Sequence, residues 1–186
     1  QPIILKWIII FEKAANMNIS NRLIYLIIFL SCVALMGYGL YLQHVTGLTP
    51  CPMCILQRIA FVFVGALALI AAMYNPQRTG NMIYSALIAI GSLTGLGIAA
   101  RHVYVQNLPP EQLAQCGPGL DYMIESFGLA QALPLIFKGE GECAASAWKF
   151  LGLTIPAWSL VWFAIFAVAA GWILLRAFKA KARRFG

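Results

Sequence analysis

The stretch Cys51-Pro52-Met53-Cys54 leads without interruption into the apolar run of residues 55–73. Pro52 suits the first turn of a helix, because its missing N–H would have no partner inside the helix there. The pattern therefore predicts a long buried helix that begins at this motif and carries Cys54 in its first turn. The positive end of the helix dipole favours the thiolate form of a cysteine at that position.

Arg58 lies four residues beyond Cys54 in the sequence, on the same face of the predicted helix. Its guanidinium adds a fixed positive charge close to the thiol pair. The alternative is that Arg58 only extends its side chain towards lipid headgroups from the start of the helix. An arginine at an apolar boundary is costly enough that a partner is expected.

The composition is that of a membrane protein. Hydrophobic residues make up 61% of the chain and charged residues 10%, with a mean hydropathy of +0.81, whereas soluble domains carry about 25% charged residues. The net charge is +7, but the basic residues gather in short polar ends, as membrane topology requires. Lipid therefore solvates most of the chain, and no nucleic-acid partner is expected.

Hydropathy predicts four membrane spans, since each apolar stretch has about the length that a bilayer requires. The spans are residues 23–42, 55–73, 82–100 and 158–178. We therefore predict an all-α fold, an integral membrane four-helix bundle formed by residues 22–178. Residues 1–21 are predicted to be a cytoplasmic or interfacial segment, and residues 179–186 a basic cytoplasmic tail.

The predicted loops differ in length and character. Residues 43–54 form a short loop, and residues 101–157 form a long loop that holds most of the acidic residues. Within the long loop, residues 122–137 are apolar but interrupted, which favours a short interfacial helix. Because most basic residues fall on the side of the termini, both termini are predicted to be cytoplasmic. In a bacterial inner membrane the two loops would then face the oxidising periplasm.

Small residues in the spans predict how the helices pack. Gly91, Gly95 and Gly97 in the third span would let a neighbouring helix approach closely. Cys32 lies in the middle of the first span, where a small packing residue is the favoured interpretation. Trp158 and the nearby Trp162 are predicted to mark one membrane boundary.

Four of the five cysteines fall in the predicted loops: Cys51, Cys54, Cys116 and Cys143. Four cysteines allow three pairings. A Cys51–Cys54 disulfide would close a very small ring and be labile, whereas a Cys116–Cys143 disulfide could simply hold the long loop together. Two thiol pairs at one membrane boundary also suggest a relay of thiol–disulfide exchange. The natural electron acceptor for such a relay is a lipid-soluble quinone.

Several motifs together resemble the disulfide bond formation protein B (DsbB) family over about residues 22–186. The shared features are four spans, Gln43-His44-Val45, Pro50-Cys51-x-x-Cys54, Arg58, His102 after the third span, paired loop cysteines, and Trp148-x-Phe150-Leu151-Gly152-Leu153-x-x-Pro156-x-Trp158.

The resemblance implies a role for each loop cysteine. Reduced DsbA, a periplasmic thiol oxidase, would attack a Cys116–Cys143 disulfide and form a mixed disulfide with Cys116. Cys143 would then attack Cys51 and release Cys54 as a thiolate in charge-transfer contact with the quinone. The quinone would be ubiquinone or menaquinone from the membrane pool.

The resemblance also assigns the quinone site. Arg58 matches the family's quinone-site arginine, and His102 matches a histidine near that site. Gln57 departs from the pattern, because some members carry an acid there, and we expect a modest effect on the local field. Residues 117–119, Gly-Pro-Gly, suggest that the geometry after Cys116 differs from that of relatives.

Other interpretations of the same residues are weaker. The four loop cysteines could bind zinc in a non-enzymatic membrane scaffold, but such sites usually use two close pairs. His44 and His102 could bind haem, although a boundary histidine is commonly only an interfacial polar residue. A vitamin K epoxide reductase-like enzyme would share the architecture but carry Cys-x-x-Cys late in the bundle. No resident metal is therefore expected.

Overall fold

A computed structural model describes residues 20–45, 47, 51–108 and 149–185. These residues form helices α1 (Asn21–Val45), α2 (Pro52–Tyr74), α3 (Arg78–Gln106) and α4 (Ile155–Phe185), with strands β1 (Lys149–Phe150) and β2 (Leu153–Thr154) before α4. All four helices are long and apolar enough to cross a membrane, which confirms the predicted all-α four-helix fold. The interfacial helix predicted at residues 122–137 lies outside the described residues.

Each helix is longer than the span predicted from hydropathy. Helix α1 continues through His44, and α3 continues through Arg101 and His102 to Gln106. Hydropathy detects only the part of a helix that lipid can solvate, and it stops at the first polar residues. The additional turns place His102 inside a helix rather than in the long loop, which fixes its position against α2.

The helices pack in chain order, with α1 against α2, α2 against α3, and α3 along α4. Aromatic rings join α2 to α4, where Phe61 stacks on Phe163 with ring centroids 4.1 Å apart and meets Phe166 edge-on at 6.3 Å. Cys32 is buried in this core beside Gly65, which confirms its predicted packing role. Many large apolar side chains elsewhere are exposed, as lipid contact allows.

Two of the three predicted glycine contacts are present in α3. A β-carbon added to Gly91 would lie 2.9 Å from the Phe63 ring, and one added to Gly95 would lie 2.5 Å from the Phe163 ring. The prediction for Gly97 is wrong, because Gly97 is exposed and nothing lies within 4 Å of the added carbon. Gly97 is two residues from Gly95, so it points to another side of the helix.

A Gly95→Ala substitution should lower the free energy of unfolding by about 1–3 kcal/mol, the usual cost of overpacking a core. Phe163 is fully buried and stacked on Phe61, so its ring has little room to move. Thermal unfolding of the purified protein in detergent measures the effect. Gly97→Ala is the matched control and should leave the midpoint unchanged or raise it slightly, because alanine favours the helix more than glycine does. Equal midpoints for both variants would contradict the close packing of α3 on α4.

A two-residue hairpin attaches the start of α4 to the end of α3. Lys149 pairs with Thr154 in the antiparallel ladder. Leu151 and Gly152 connect the strands with φ of 52° and 80°, as expected for a hairpin turn with two left-handed residues. Thr154 Oγ1 donates a hydrogen bond of 2.8 Å to Gln106 Oε1. This contact fixes the two ends of the long loop relative to each other.

Candidate dithiol site

The cysteine motif begins helix α2 in the predicted way. Cys51 is the N-cap residue with extended backbone angles, and Pro52 occupies the first helical turn. The Cys54 backbone N–H donates to Cys51 Sγ at 3.4 Å. The thiol of Cys51 therefore takes the position in which a serine or aspartate oxygen usually caps a helix. This arrangement places the Cys51 sulfur at the positive end of the α2 dipole.

The two sulfurs lie close together but differ in access. Cys51 Sγ is 3.0 Å from Cys54 Sγ, so the pair has the proximity needed to interconvert between dithiol and disulfide. Cys51 is buried beneath Met53 and Val105, whereas Cys54 is only half-buried. A molecule that approaches from outside the bundle therefore meets Cys54 more readily than Cys51.

His102 joins the thiol pair from α3. It is 1% exposed, and its Nε2 lies 3.7 Å from Cys51 Sγ. On the other side of the ring, the Gln57 amide lies 3.0 Å from Nδ1. When the amide nitrogen donates to Nδ1, the ring proton must be on Nε2, from which it points towards the sulfur. Gln57 thus sets the histidine tautomer that Cys51 meets.

Arg58 is held against α1 instead of extending to the membrane surface. Its Nη1 donates to Gln43 Oε1 at 2.6 Å, and its Nη2 donates to the Gly39 carbonyl at 3.3 Å. The side chain is half-buried. These two bonds supply the partners expected for an arginine at an apolar boundary. They fix the guanidinium one helical turn from Cys54, between α1 and α2.

The predicted site residues are thus brought together only in part. Cys51, Cys54 and His102 form one cluster, with their ligand atoms all within 4.8 Å of one another. Cys116 and Cys143 lie outside the described residues. His44 is exposed at the end of α1 and does not join the cluster. The structure therefore offers no support for the pairing of His44 with His102 around a haem.

Sequence reasoning did not identify the roles of two glutamines. Gln43 anchors Arg58, and Gln57 contacts His102 while being only 3% exposed. The available signal was a neutral polar residue at the boundary of a long apolar run, Gln43 after the first run and Gln57 near the start of the second. A buried amide must find a hydrogen-bond partner, and few polar groups near this boundary could serve as one.

The fold and the cluster together define a membrane protein with a redox-capable dithiol at the start of a transmembrane-length helix. The comparisons with known proteins specify this class further. Residues 21–173 match the family model described as disulfide bond formation protein DsbB. The chain belongs to the DsbB family, as the sequence motifs predicted, and is therefore a disulfide-forming oxidoreductase of the multi-pass membrane type.

Individual relatives agree with the family model. The chain is 48% identical to the disulfide bond formation protein B of Azoarcus sp. (strain BH72) over 155 residues, which cover 83% of this chain and 93% of the relative. It is 44% identical to the protein of that name from Chromobacterium violaceum, over 87% of this chain and 97% of the relative. The corresponding protein of Acinetobacter baumannii is 41% identical, over 86% and 94% respectively.

Proposed function

We propose that this protein reoxidises a periplasmic thiol oxidase of the DsbA type and delivers the two electrons to membrane quinone. One observation carries the proposal, namely that a dithiol lies beside a buried histidine at the start of a membrane-length helix, with an anchored arginine one helical turn further along that helix. A dithiol at this boundary has access both to proteins outside the membrane and to small molecules dissolved in it.

The thiol steps are an exchange of bonds between sulfurs. A thiolate of the reduced partner attacks Cys116, breaks the Cys116–Cys143 disulfide and forms a mixed disulfide. The second partner thiolate then resolves that bond and leaves the partner oxidised. Cys143 attacks Cys51 and displaces Cys54 as a thiolate, and Cys116 then attacks Cys143 to restore the loop disulfide. The net result is a Cys51/Cys54 dithiol that holds the two electrons of the partner.

The chain's own groups prepare Cys54 for its departure and reaction. The α2 dipole stabilises the thiolate that forms in its first turn. His102 Nε2 faces Cys51 Sγ. When Nε2 carries the ring proton, it stabilises negative charge on that sulfur. Cys54 is half-buried and so accessible to a quinone, whereas Cys51 is buried. Each sulfur of the pair therefore has a different environment, as two successive roles require.

Arg58 is the residue best placed to bind a quinone carbonyl. A guanidinium has five N–H donors, and Gln43 and Gly39 fix its plane through two of them. The remaining donors fit a carbonyl oxygen that gains negative charge during reduction. A bound quinone supplies a two-electron, two-proton acceptor. Oxidation of the Cys51/Cys54 dithiol to the disulfide balances that reduction.

The proposed location follows from the distribution of charge. Basic residues concentrate on the side of the chain termini, which favours cytoplasmic termini in a bacterial inner membrane. The start of α2 and the end of α3 would then lie at the periplasmic boundary. The periplasm is the compartment in which disulfides form and persist.

Quinone reduction by the purified protein tests the proposal. We expect the protein, given a reduced DsbA-type oxidase and either ubiquinone or menaquinone, to consume one quinone for each partner disulfide formed. The loss of quinone absorbance gives the rate, and metal chelators should not lower it. A metal-stabilised scaffold would show no turnover with any quinone or dithiol.

Arg58→Lys should raise the KM for quinone about 10-fold, because lysine keeps the charge but loses the planar set of donors that Gln43 and Gly39 orient. The KM for the reduced protein partner should not change. Arg176→Lys is the matched control, because Arg176 lies over the Trp172 ring in the second half of α4. Unaltered quinone kinetics in Arg58→Lys would remove Arg58 from the quinone site.

A further inference from the structure

We propose that the reduced protein binds one thiophilic divalent cation of the Zn²⁺ class through Cys51, Cys54 and His102. This inference goes beyond the proposed function, because it requires only the dithiol form and neither quinone nor a protein partner. It also differs from a four-cysteine zinc scaffold, since the ligands are two sulfurs and one imidazole. Bound metal would occupy both thiolates and so inhibit any reaction of the dithiol.

The three donor atoms already lie at nearly the spacing of a metal site. Tetrahedral zinc has Zn–S bonds of about 2.3 Å and Zn–N bonds of about 2.0–2.1 Å, so its ligand atoms lie about 3.5–3.8 Å apart. Cys51 Sγ and His102 Nε2 are 3.7 Å apart, and all three donors lie within 4.8 Å of one another. The set matches the two-cysteine, one-histidine ligand set known from zinc enzymes.

The separation of the two sulfurs has to increase. The two sulfurs are 3.0 Å apart, and a bound ion would move them apart by roughly 0.8 Å to reach the tetrahedral spacing. Cys54 is half-buried and sits in the first turn of α2, so rotation of its side chain provides this movement. Cys51 and His102 are both buried and can remain in place.

The surroundings favour the ligand forms of these groups. Metal ligation needs thiolates and an unprotonated imidazole nitrogen, and the start of α2 stabilises thiolates. Gln57 can supply the second requirement, since turning its amide by 180° places Oε1 instead of Nε2 against Nδ1. Nδ1–H then donates to that oxygen, and the Nε2 lone pair faces Cys51. Ligating histidines usually have such an outer partner.

Binding is linked to the redox state of the site without itself transferring electrons. Two thiols lose their protons when the cation binds, and two sulfur–metal bonds form. The Cys51–Cys54 disulfide has no thiolates to offer, so the oxidised protein should not bind the ion. The cation therefore binds only the reduced Cys51/Cys54 dithiol, the state between the arrival of electrons and their transfer to the acceptor.

Cobalt(II) is the spectroscopic probe for this site. The experiment uses the full chain in detergent, reduced with a phosphine, with Cys116 and Cys143 both changed to serine so that the loop cannot supply ligands. We expect one Co²⁺ per chain, with a thiolate-to-cobalt band in the near ultraviolet and the visible bands of a tetrahedral ion. One equivalent of Zn²⁺ should abolish both signals, whereas Mg²⁺ should not.

Variants in this background identify the ligands. Cys51→Ala, Cys54→Ala and His102→Ala should each weaken Co²⁺ binding at least 100-fold, and Gln57→Leu should weaken it about 10- to 100-fold. Gln57→Glu should retain the affinity, because a carboxylate also accepts from Nδ1–H. Cys32→Ala is the matched control, since Cys32 is buried in the core away from this cluster. Its affinity should equal that of the background.

Three results would overturn the proposal. They are the absence of thiolate-to-cobalt absorption in the reduced background protein, equal binding by the oxidised protein, and full affinity in His102→Ala. The oxidised protein carries no further substitution, so the comparison is independent of variant folding. Because neither quinone nor thiol oxidase is present, this test can fail while the proposed enzyme activity stands, and the reverse also holds.

Discussion

Cys54→Ala should abolish quinone reduction, with a loss of at least about 10³-fold, because removal of one member of a reacting unit removes the function of the whole unit. Without Cys54 the electrons on Cys51 have no partner sulfur with which to form a disulfide. The thiolate that the start of α2 stabilises is also lost. Loss of quinone absorbance with a reduced thiol oxidase, and separately with a small dithiol, measures the effect.

Cys32→Ala is the control for Cys54→Ala, since Cys32 packs in the core beside Gly65 and contacts no part of the dithiol cluster. Cys32→Ala should reduce quinone at a rate within about twofold of the unmodified protein, because truncation of a small buried side chain affects stability more than chemistry. A Cys54→Ala variant that retains the normal rate would exclude the Cys51/Cys54 pair as the immediate electron donor.

Cys143→Ala should lower turnover driven by the protein partner at least about 100-fold, because the thiolate that attacks Cys51 in the proposed relay is then missing. Reduction of quinone by a small dithiol should remain, since such a molecule can reach the half-buried Cys54 without the loop. Comparison of the two electron donors in one quinone assay separates partner coupling from electron delivery.

The same comparison for Cys116→Ala distinguishes the roles of the two loop cysteines. Mixed with the oxidised thiol oxidase, whose own disulfide is then the bond that breaks, Cys143→Ala should form a mixed disulfide through Cys116, whereas Cys116→Ala should form no stable one. Non-reducing electrophoresis shows the adduct directly. If both variants lose the small-dithiol activity as well, the loop cysteines take part in the chemistry at α2 and do not merely connect it to the partner.

The fold was predictable because its main determinant is local. A lipid-facing helix needs about 20 apolar residues, and four such runs are visible in this chain. The start of α2 was predictable for the same reason, since Pro52 and the cysteine before it specify a helix N-terminus. The helix ends at Val45 and Gln106 were not predictable from the sequence. Polar residues end the run that lipid can solvate, whereas the backbone hydrogen bonds of the helix continue beyond it.

The contacts within the site depend on packing between helices, which hydropathy does not report. His102 was expected near the thiols only through family resemblance, and its partner Gln57 was not recognised as one. The error for Gly97 has the same origin. Gly97 and Gly95 are the same residue type in the same span, so the sequence alone does not distinguish them. Only the rotation of α3 against its neighbours decides which glycine is buried.

The hairpin between α3 and α4 sets an upper limit on the distance between Cys143 and the end of α3. Five residues separate Cys143 from Lys149, so peptide geometry confines its α-carbon to within about 22 Å of that strand residue. Lys149 pairs with Thr154, which bonds to Gln106, one helical turn beyond His102. In the proposed relay, attack of Cys143 on Cys51 would therefore be a tethered reaction at an effective concentration on the order of millimolar. The rate of this proposed step would then be set by the length of the loop and would not depend on how much protein the membrane holds.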